Sequence, residues 1–169
     1  DPLGETTKEH GKWEYYDRYG KLEEIRNYYK GKLHGAVILK YPTGKNKQEG
    51  YFKNDLQDSV YREWNEIGNL EVAGYYKNNQ PVGEWQYFYI DGKPKLIEEI
   101  VDSTKFVKSF WLNDSLHTQT ITDGNGDLID YYNNGKLKQQ YHYKAGILDG
   151  SFLEKSIFGD TSLSGSYKN

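Results

Sequence analysis

The chain has no cysteine, no methionine and only four prolines in 169 residues. The missing cysteines remove disulfides and thiolate metal sites as sources of order. Long apolar runs are missing too, and nothing approaches the roughly 18 residues that a membrane-spanning helix needs. No stretch has the layout of a signal peptide. Position 1 is Asp rather than Met. Removal of an export signal and simple trimming both leave such a start, and the expectation drawn from it is a periplasmic, cell-envelope or secreted location ahead of a cytoplasmic one. An excess of positive charge is also absent: 22 Lys and Arg stand against 25 Asp and Glu, for a net charge of −3. Nucleic-acid binding needs a basic stripe, which this balance does not supply. There is no polybasic run for a lipid surface.

What is present is aromatic. Hydrophobic residues make up 36% of the chain, and 17 residues are Tyr. Leu, Ile, Val and Phe are sparse enough to raise the question of disorder. Aromatics at 16% answer it, because disordered chains are poor in rings. Tyr and Trp bury ring faces and keep polar tips wet. That suits a thin sheet better than a thick two-layer core.

The chain also repeats about every 24 residues. Opening glycines are Gly11, Gly35, Gly83, Gly126 and Gly150, with Asp58 read in the same place between Gly35 and Gly83. Second glycines follow at Gly20, Gly44, Gly68, Gly92, Gly135 and Gly159. Closing turns such as Tyr29-Lys30-Gly31, Phe52-Lys53-Asn54, Tyr76-Lys77-Asn78 and Tyr167-Lys168-Asn169 end the units. A period of this size signals an array of small supersecondary units. Each unit reads as a β-hairpin, since Asp or Asn before Gly supplies the positive φ of hairpin turns. Nothing sustains a helical period.

Offsets of two, four and six from each opening residue share one strand face. They give Trp13, Tyr15, Asp17; Val37, Leu39, Tyr41; Val60, Arg62, Trp64; Trp85, Tyr87, Tyr89; Leu128, Asp130, Tyr132; and Phe152, Glu154, Ser156. The first members form a predicted apolar column, with Trp13, Val37, Val60 and Trp85 on one side of one sheet. The repeat falters between Ser103 and Asn125. Phe106 to Trp111 and Thr118 to Thr122 still read as strands around Asn113-Asp114-Ser115, so a degenerate hairpin near 102–125 is expected, with a boundary between repeat blocks as the alternative. Residues 1–9 read as a frayed arm and residues 10–169 as a single repeat domain. An uncovered terminal strand leaves an edge open to self-association.

These units resemble the bacterial variant of MORN repeats, the group often labelled YwqK-type antitoxin-like repeat proteins. The resemblance rests on Gly11-Lys12-Trp13-Glu14-Tyr15-Tyr16 with Gly20-Lys21-Leu22, on Tyr29-Lys30-Gly31-Lys32-Leu33-His34-Gly35, on Gly83-Glu84-Trp85-Gln86-Tyr87, and on Tyr131-Tyr132-Asn133-Asn134-Gly135-Lys136-Leu137. It implies an all-β fold, an elongated single-layer antiparallel sheet of six or seven hairpins. It also implies a non-enzymatic scaffold that binds a protein partner. Asp58, the units lacking Trp and the broken unit depart from a uniform surface.

Other motifs weigh less. Asp123-Gly124-Asn125-Gly126-Asp127 resembles half of a calcium loop, but Leu128 and Asn134 stand where Gly and Glu are needed. His10 and His34 sit one repeat apart without a third ligand for zinc. Pairs such as Glu23-Glu24 and Glu98-Glu99 show no arrangement across a cleft. No nucleophile elbow, phosphate loop or Rossmann fingerprint occurs. Hence no catalytic residue, metal or cofactor is expected. Trp85 to Gly92 is similar to choline- or glucan-binding repeats, where aromatic cages hold cations or sugars. A carbohydrate- or cell-wall-binding module is therefore the alternative function. The candidate binding surface or stacking spine is Trp13, Tyr15, Tyr41, Trp64, Trp85, Tyr87, Tyr89 and Tyr132.

Overall fold

The computed structural model describes residues 8–168. Residues 1–7 of the expected arm and Asn169 of the last turn lie outside the described residues. Every regular element among the described residues is a strand. They are β1 Gly11–Tyr16, β2 Leu22–Tyr29, β3 Lys32–Lys40, β4 Asn46–Lys53, β5 Leu56–Trp64, β6 Leu70–Lys77 and β7 Gln80–Phe88. There follow β8 Pro94–Val101, β9 Thr104–Trp111, β10 Gln119–Thr122, β11 Asn125–Tyr131, β12 Leu137–Lys144, β13 Ile147–Lys155 and β14 Thr161–Tyr167. All 14 strands stand in chain order in one antiparallel sheet. Two compact units divide between Val82 and Gly83.

Turn chemistry explains why the strands end where they do. At one end of six of the seven hairpins a four-residue turn closes on glycine, as in Gly20 N–H to Asp17 O at 3.0 Å and Asp17 N–H to Lys21 O at 2.8 Å. All six second glycines adopt positive φ, from 79° at Gly135 to 102° at Gly159. This is a type I turn followed by a left-handed residue, and a bulge in the return strand comes with it. At the other end, two residues with positive φ make a tight turn. Lys30-Gly31 (52°, 80°), Asn54-Asp55 (53°, 69°) and Asn78-Asn79 (50°, 66°) do so in the first unit. Asp102-Ser103 (49°, 66°) and Ala145-Gly146 (50°, 82°) do so in the second. Asp123-Gly124, in the segment that resembles half of a calcium loop, is a turn of this kind, with φ of 49° and 77°.

The opening residues need two corrections. Gly35 lies inside β3 rather than before it. Arg26 pairs with Val37 and Tyr28 with Leu33, so the ladder bulges around Gly35. In β5 the same bulge falls on Ser59, with φ of 74°, and not on Asp58. Positions 11, 35, 59 and 83 are evenly spaced. The predicted triplet Val60, Arg62, Trp64 is therefore displaced by one residue, and a one-residue slip reverses every side chain of a strand. Tyr61 and Glu63 take those places. The row across the first unit runs Trp13, Arg26, Val37, Gly50, Tyr61, Gly74. Val60 pairs with Tyr75 on the opposite face.

In the second unit the degenerate hairpin keeps β9 but shortens β10 to 4 residues. Its tight turn is sealed by neighbouring backbone. Gly124 N–H donates to Lys108 O at 2.9 Å, Gly146 N–H to Gly124 O at 2.9 Å, and Val107 N–H to Gly146 O at 2.8 Å. A small core forms there: Val107, Phe110 and the fully buried Ile121, flanked by Leu96, Leu112, Leu128 and Tyr143.

Candidate functional site

Two places combine exposure with ordered polar chemistry. The first is the face of the first unit that carries Trp13 and Tyr15. Strand alternation puts both side chains on one side of β1, and register adds Arg26 and Tyr28 from β2. The Trp13 ring meets Tyr28 edge-on at 6.2 Å. The Tyr15 and Tyr28 hydroxyls lie 3.3 Å apart. Arg26 sits 4.8 Å from the Tyr15 ring centre. Glu24 clamps the guanidinium with two hydrogen bonds, at 2.7 and 2.8 Å, and these hold Arg26 further above its usual value. Farther along the same face, Tyr61 meets Tyr76 at 5.4 Å, nearly perpendicular. The Tyr61 hydroxyl donates to Glu63, and burial, helped by that bond, pushes its phenol well up. Trp13 stays 44% exposed.

The second place is a cleft of about 470 Å³ in the second unit. It is lined by Tyr89, Leu112 and Asp114 and, from β11 and its turn, by Ile129, Asp130 and Tyr132. Asp114 accepts the Thr118 amide at 2.9 Å and its hydroxyl at 2.7 Å, which hold the carboxyl below its usual range. Burial pushes the Tyr89 phenol up to about 12, with the charges of Asp130 and Asp114 adding to it. His117, with φ of 53°, closes the loop base. It stacks on Trp111 at 6.2 Å and meets Tyr89 edge-on at 6.3 Å.

The sequence-predicted aromatic residues differ in exposure and in task. Trp13 and Tyr15 lie on the open face just described. Trp85 is only 5% exposed and acts as core. Tyr87 donates to Glu98 at 3.3 Å. Tyr41, Tyr89 and Tyr132 share another task. Each is the first residue of a glycine turn and reaches the next hairpin. Their hydroxyls donate to Trp64 O at 2.7 Å, Trp111 O at 2.6 Å and Lys155 O at 2.7 Å. Trp64 is thus the receiving end of one such staple. Where the same turn position holds a short polar residue, the side chain caps its own turn. Asp17 accepts from the Tyr19 and Lys21 amides, Asn65 from Gly68 and Asn69, and Ser156 from Phe158 and Asp160.

Sequence reasoning missed Tyr61 and Tyr76, which equal spacing of the opening positions would have found. It also missed Asp114 and Ile129, which no motif marks. His10 and His34 do not converge. The Tyr29 ring stands between them, 5.4 Å from His10 and 5.8 Å from His34. No group of three or more His, Asp or Glu placed to hold a metal occurs among the described residues.

No curated protein matches the chain. The family model described as "MORN repeat variant" matches residues 33–54 and 125–145. Those segments cover the strands around Gly35 and Gly44 in the first unit and around Gly126 and Gly135 in the second. The two matches support a MORN-like repeat protein, of a kind whose repeats generally serve as binding scaffolds.

Proposed function

We propose that the chain is a non-enzymatic scaffold of the bacterial, antitoxin-like kind, and that it binds a protein partner through an extended sheet surface. One observation carries this reading. The open face of the first unit presents the exposed Trp13 ring beside Tyr15, Tyr28, Tyr61 and the clamped Arg26, whose polar tips are already bonded. Tyr, Trp and Arg are the residues that dominate protein interfaces; the two rings bury much area for few frozen torsions, and Arg26 is already held by Glu24. The cleft speaks for binding as well. A general acid needs a carboxyl raised toward neutrality, whereas the two Thr118 hydrogen bonds hold the Asp114 carboxyl below its usual range.

The test captures partners from the source cells with the full chain and with Trp13→Ala and Tyr28→Ala variants, and reads a glycan array in parallel. A protein retained by the full chain and lost by both variants supports the reading. Retention of a glycan in place of a protein moves the chain to the carbohydrate-binding alternative. A hydrolytic rate abolished by one Asp or Glu substitution overturns the non-enzymatic reading.

A further inference from the structure

The cleft of the second unit contains an open strand edge, created by a slip in register. At an ordinary junction equivalent positions stay level. Tyr87 pairs with Leu96, and Leu96 with Phe110. Leu128 pairs with Tyr141, and Tyr141 with Phe152. Across β10 the level jumps: Phe110 pairs with Ile121, and Ile121 with Gly126. Phe110 holds the place in its hairpin that Asp130 holds in the next, so the slip from 130 to 126 amounts to about 13 Å at the strand rise of roughly 3.3 Å per residue.

β11 consequently outruns β10. The two strands pair only at Ile121 with Gly126 and Thr122 with Asn125. Thr122 and Asn125 flank the tight turn and are its hydrogen-bonded pair. Alternation then turns the backbone groups of residues 127, 129 and 131 toward the β10 side. The Tyr131 N–H is taken by Asp130 Oδ1 at 3.0 Å. The N–H and C=O of Ile129 and the C=O of Tyr131 remain, facing the cleft that Ile129, Asp130 and Tyr131 line.

The side chains around this edge define its occupant. The cleft lining holds two carboxylates, Asp114 and Asp130, and no basic side chain. Asp130 also pairs with Lys138 at 3.1 Å, on the β12 side. Asp114 has no cationic partner among the described residues; its carboxylate accepts from the Thr118 amide and hydroxyl. Leu112 and Ile129 supply the cleft's apolar lining, and Tyr89 and Tyr132 its rings. An unpaired strand edge is a template for another strand, and strand addition gives affinity through the main chain with selection by alternate side chains.

We infer that the β11 edge at residues 129–131 takes an extended peptide segment of a protein partner as an added strand, with a Lys or Arg of that segment seated at Asp114 and Asp130. This rests on the reading of the chain as a protein-binding scaffold and names a site on it.

The experiment titrates isotope-labelled full chain with an acetylated, amidated octapeptide of alternating Val and Lys. A matched Val-Glu octapeptide serves as control. The expected result is amide shifts at residues 112–114 and 129–133, slowed exchange of the Ile129 amide, and at least about tenfold weaker binding of the Val-Glu peptide. The double variant Asp114→Asn, Asp130→Asn should lose that preference while keeping native amide dispersion. Ile129→Pro removes the edge donor, which an edge strand tolerates, and should abolish binding. If it unfolds, the Asn double variant carries the test alone. No shift at millimolar peptide, equal binding of both peptides, or shifts confined to the Trp13 face overturns the inference. So does concentration-dependent self-association through the same amides, which would make a second copy the occupant. Failure here with partner capture still sensitive to Trp13→Ala overturns only the peptide site. Capture insensitive to Trp13→Ala and Tyr28→Ala with the peptide bound at β11 overturns only the face reading.

Discussion

The two units are built from the same repeat and stabilise themselves differently. Among the described residues, every buried large hydrophobic lies in the second unit: Trp85, Ile100, Val107, Phe110 and Ile121. In the first unit the buried residues are Gly50, Asn65 and Gly74. Regular repetition gives the first unit an even ladder with rings lying over the strands. Phe52 and Tyr61, for example, both lie within 4 Å of where a Gly50 Cβ would stand. The broken repeat gives the second unit a place where strands of unequal length overlap, and apolar side chains fill it. The irregular hairpin is thus the one that builds an interior.

The sharpest way to break this contrast is Gly126→Ala. Gly126 has φ of 130°, and a Cβ there would stand 2.0 Å from Thr120 O. Backbone cannot yield as a side-chain tip can, so we expect a cost on the order of 4 kcal/mol or more. Hydrogen exchange should show protection lost in residues 104–144 and kept in β2 to β5. Uniform loss would mean that the difference in burial has no energetic counterpart. Tryptophan comes next. Trp85→Ala should cost about 3–5 kcal/mol, while Trp13→Ala, at the equivalent position but exposed, should cost about 1 kcal/mol or less. Urea midpoints check the pair, and equal shifts would refute the contrast. Smaller still are the staples. Tyr41→Phe and Tyr89→Phe each remove one hydroxyl bond and should each cost about 1 kcal/mol, one in each unit.

The last contrast is with pH. The Tyr89 phenol is pushed from its ordinary 10.0 up to about 12 in the folded chain. A raised folded value means that its contribution is complete below pH 10 and is lost as pH climbs through about 12. Alkaline unfolding should therefore steepen over that window and flatten in Tyr89→Phe. An unchanged profile would show that another group governs it.

Much of the fold was legible because turns speak locally. Asp91-Gly92 or Asn134-Gly135 needs no distant contact to become a turn. The Ser59 bulge was harder to read, because the slot is defined by its φ and by even spacing rather than by glycine. Misplacing it by one residue moved Val60 onto the wrong face. The difference between Trp13 and Trp85 was not legible at all. Both occupy the same repeat position, and only the neighbouring strands bury one of them. The cleft follows from β10 being short, which shows in sequence only as a gap in the period. How far the next hairpin then slides is settled by Ile121 and Gly126 finding partners across it.

The tyrosine staples carry a consequence for how such a chain grows. Tyr41, Tyr89 and Tyr132 each bind one hairpin to its successor, so the chain is grouped in couples: β3–β4 with β5–β6, β7–β8 with β9–β10, and β11–β12 with β13–β14. The first hairpin carries Asp17 at that turn position, and the third carries Asn65. A genetic duplication or excision that cuts between couples inherits every staple whole. One that cuts within a couple leaves a tyrosine without its carbonyl. Counted by its tyrosine staples, the self-contained piece of this array is two hairpins, and lengthening the array by such pairs should cost less than lengthening it by single repeats.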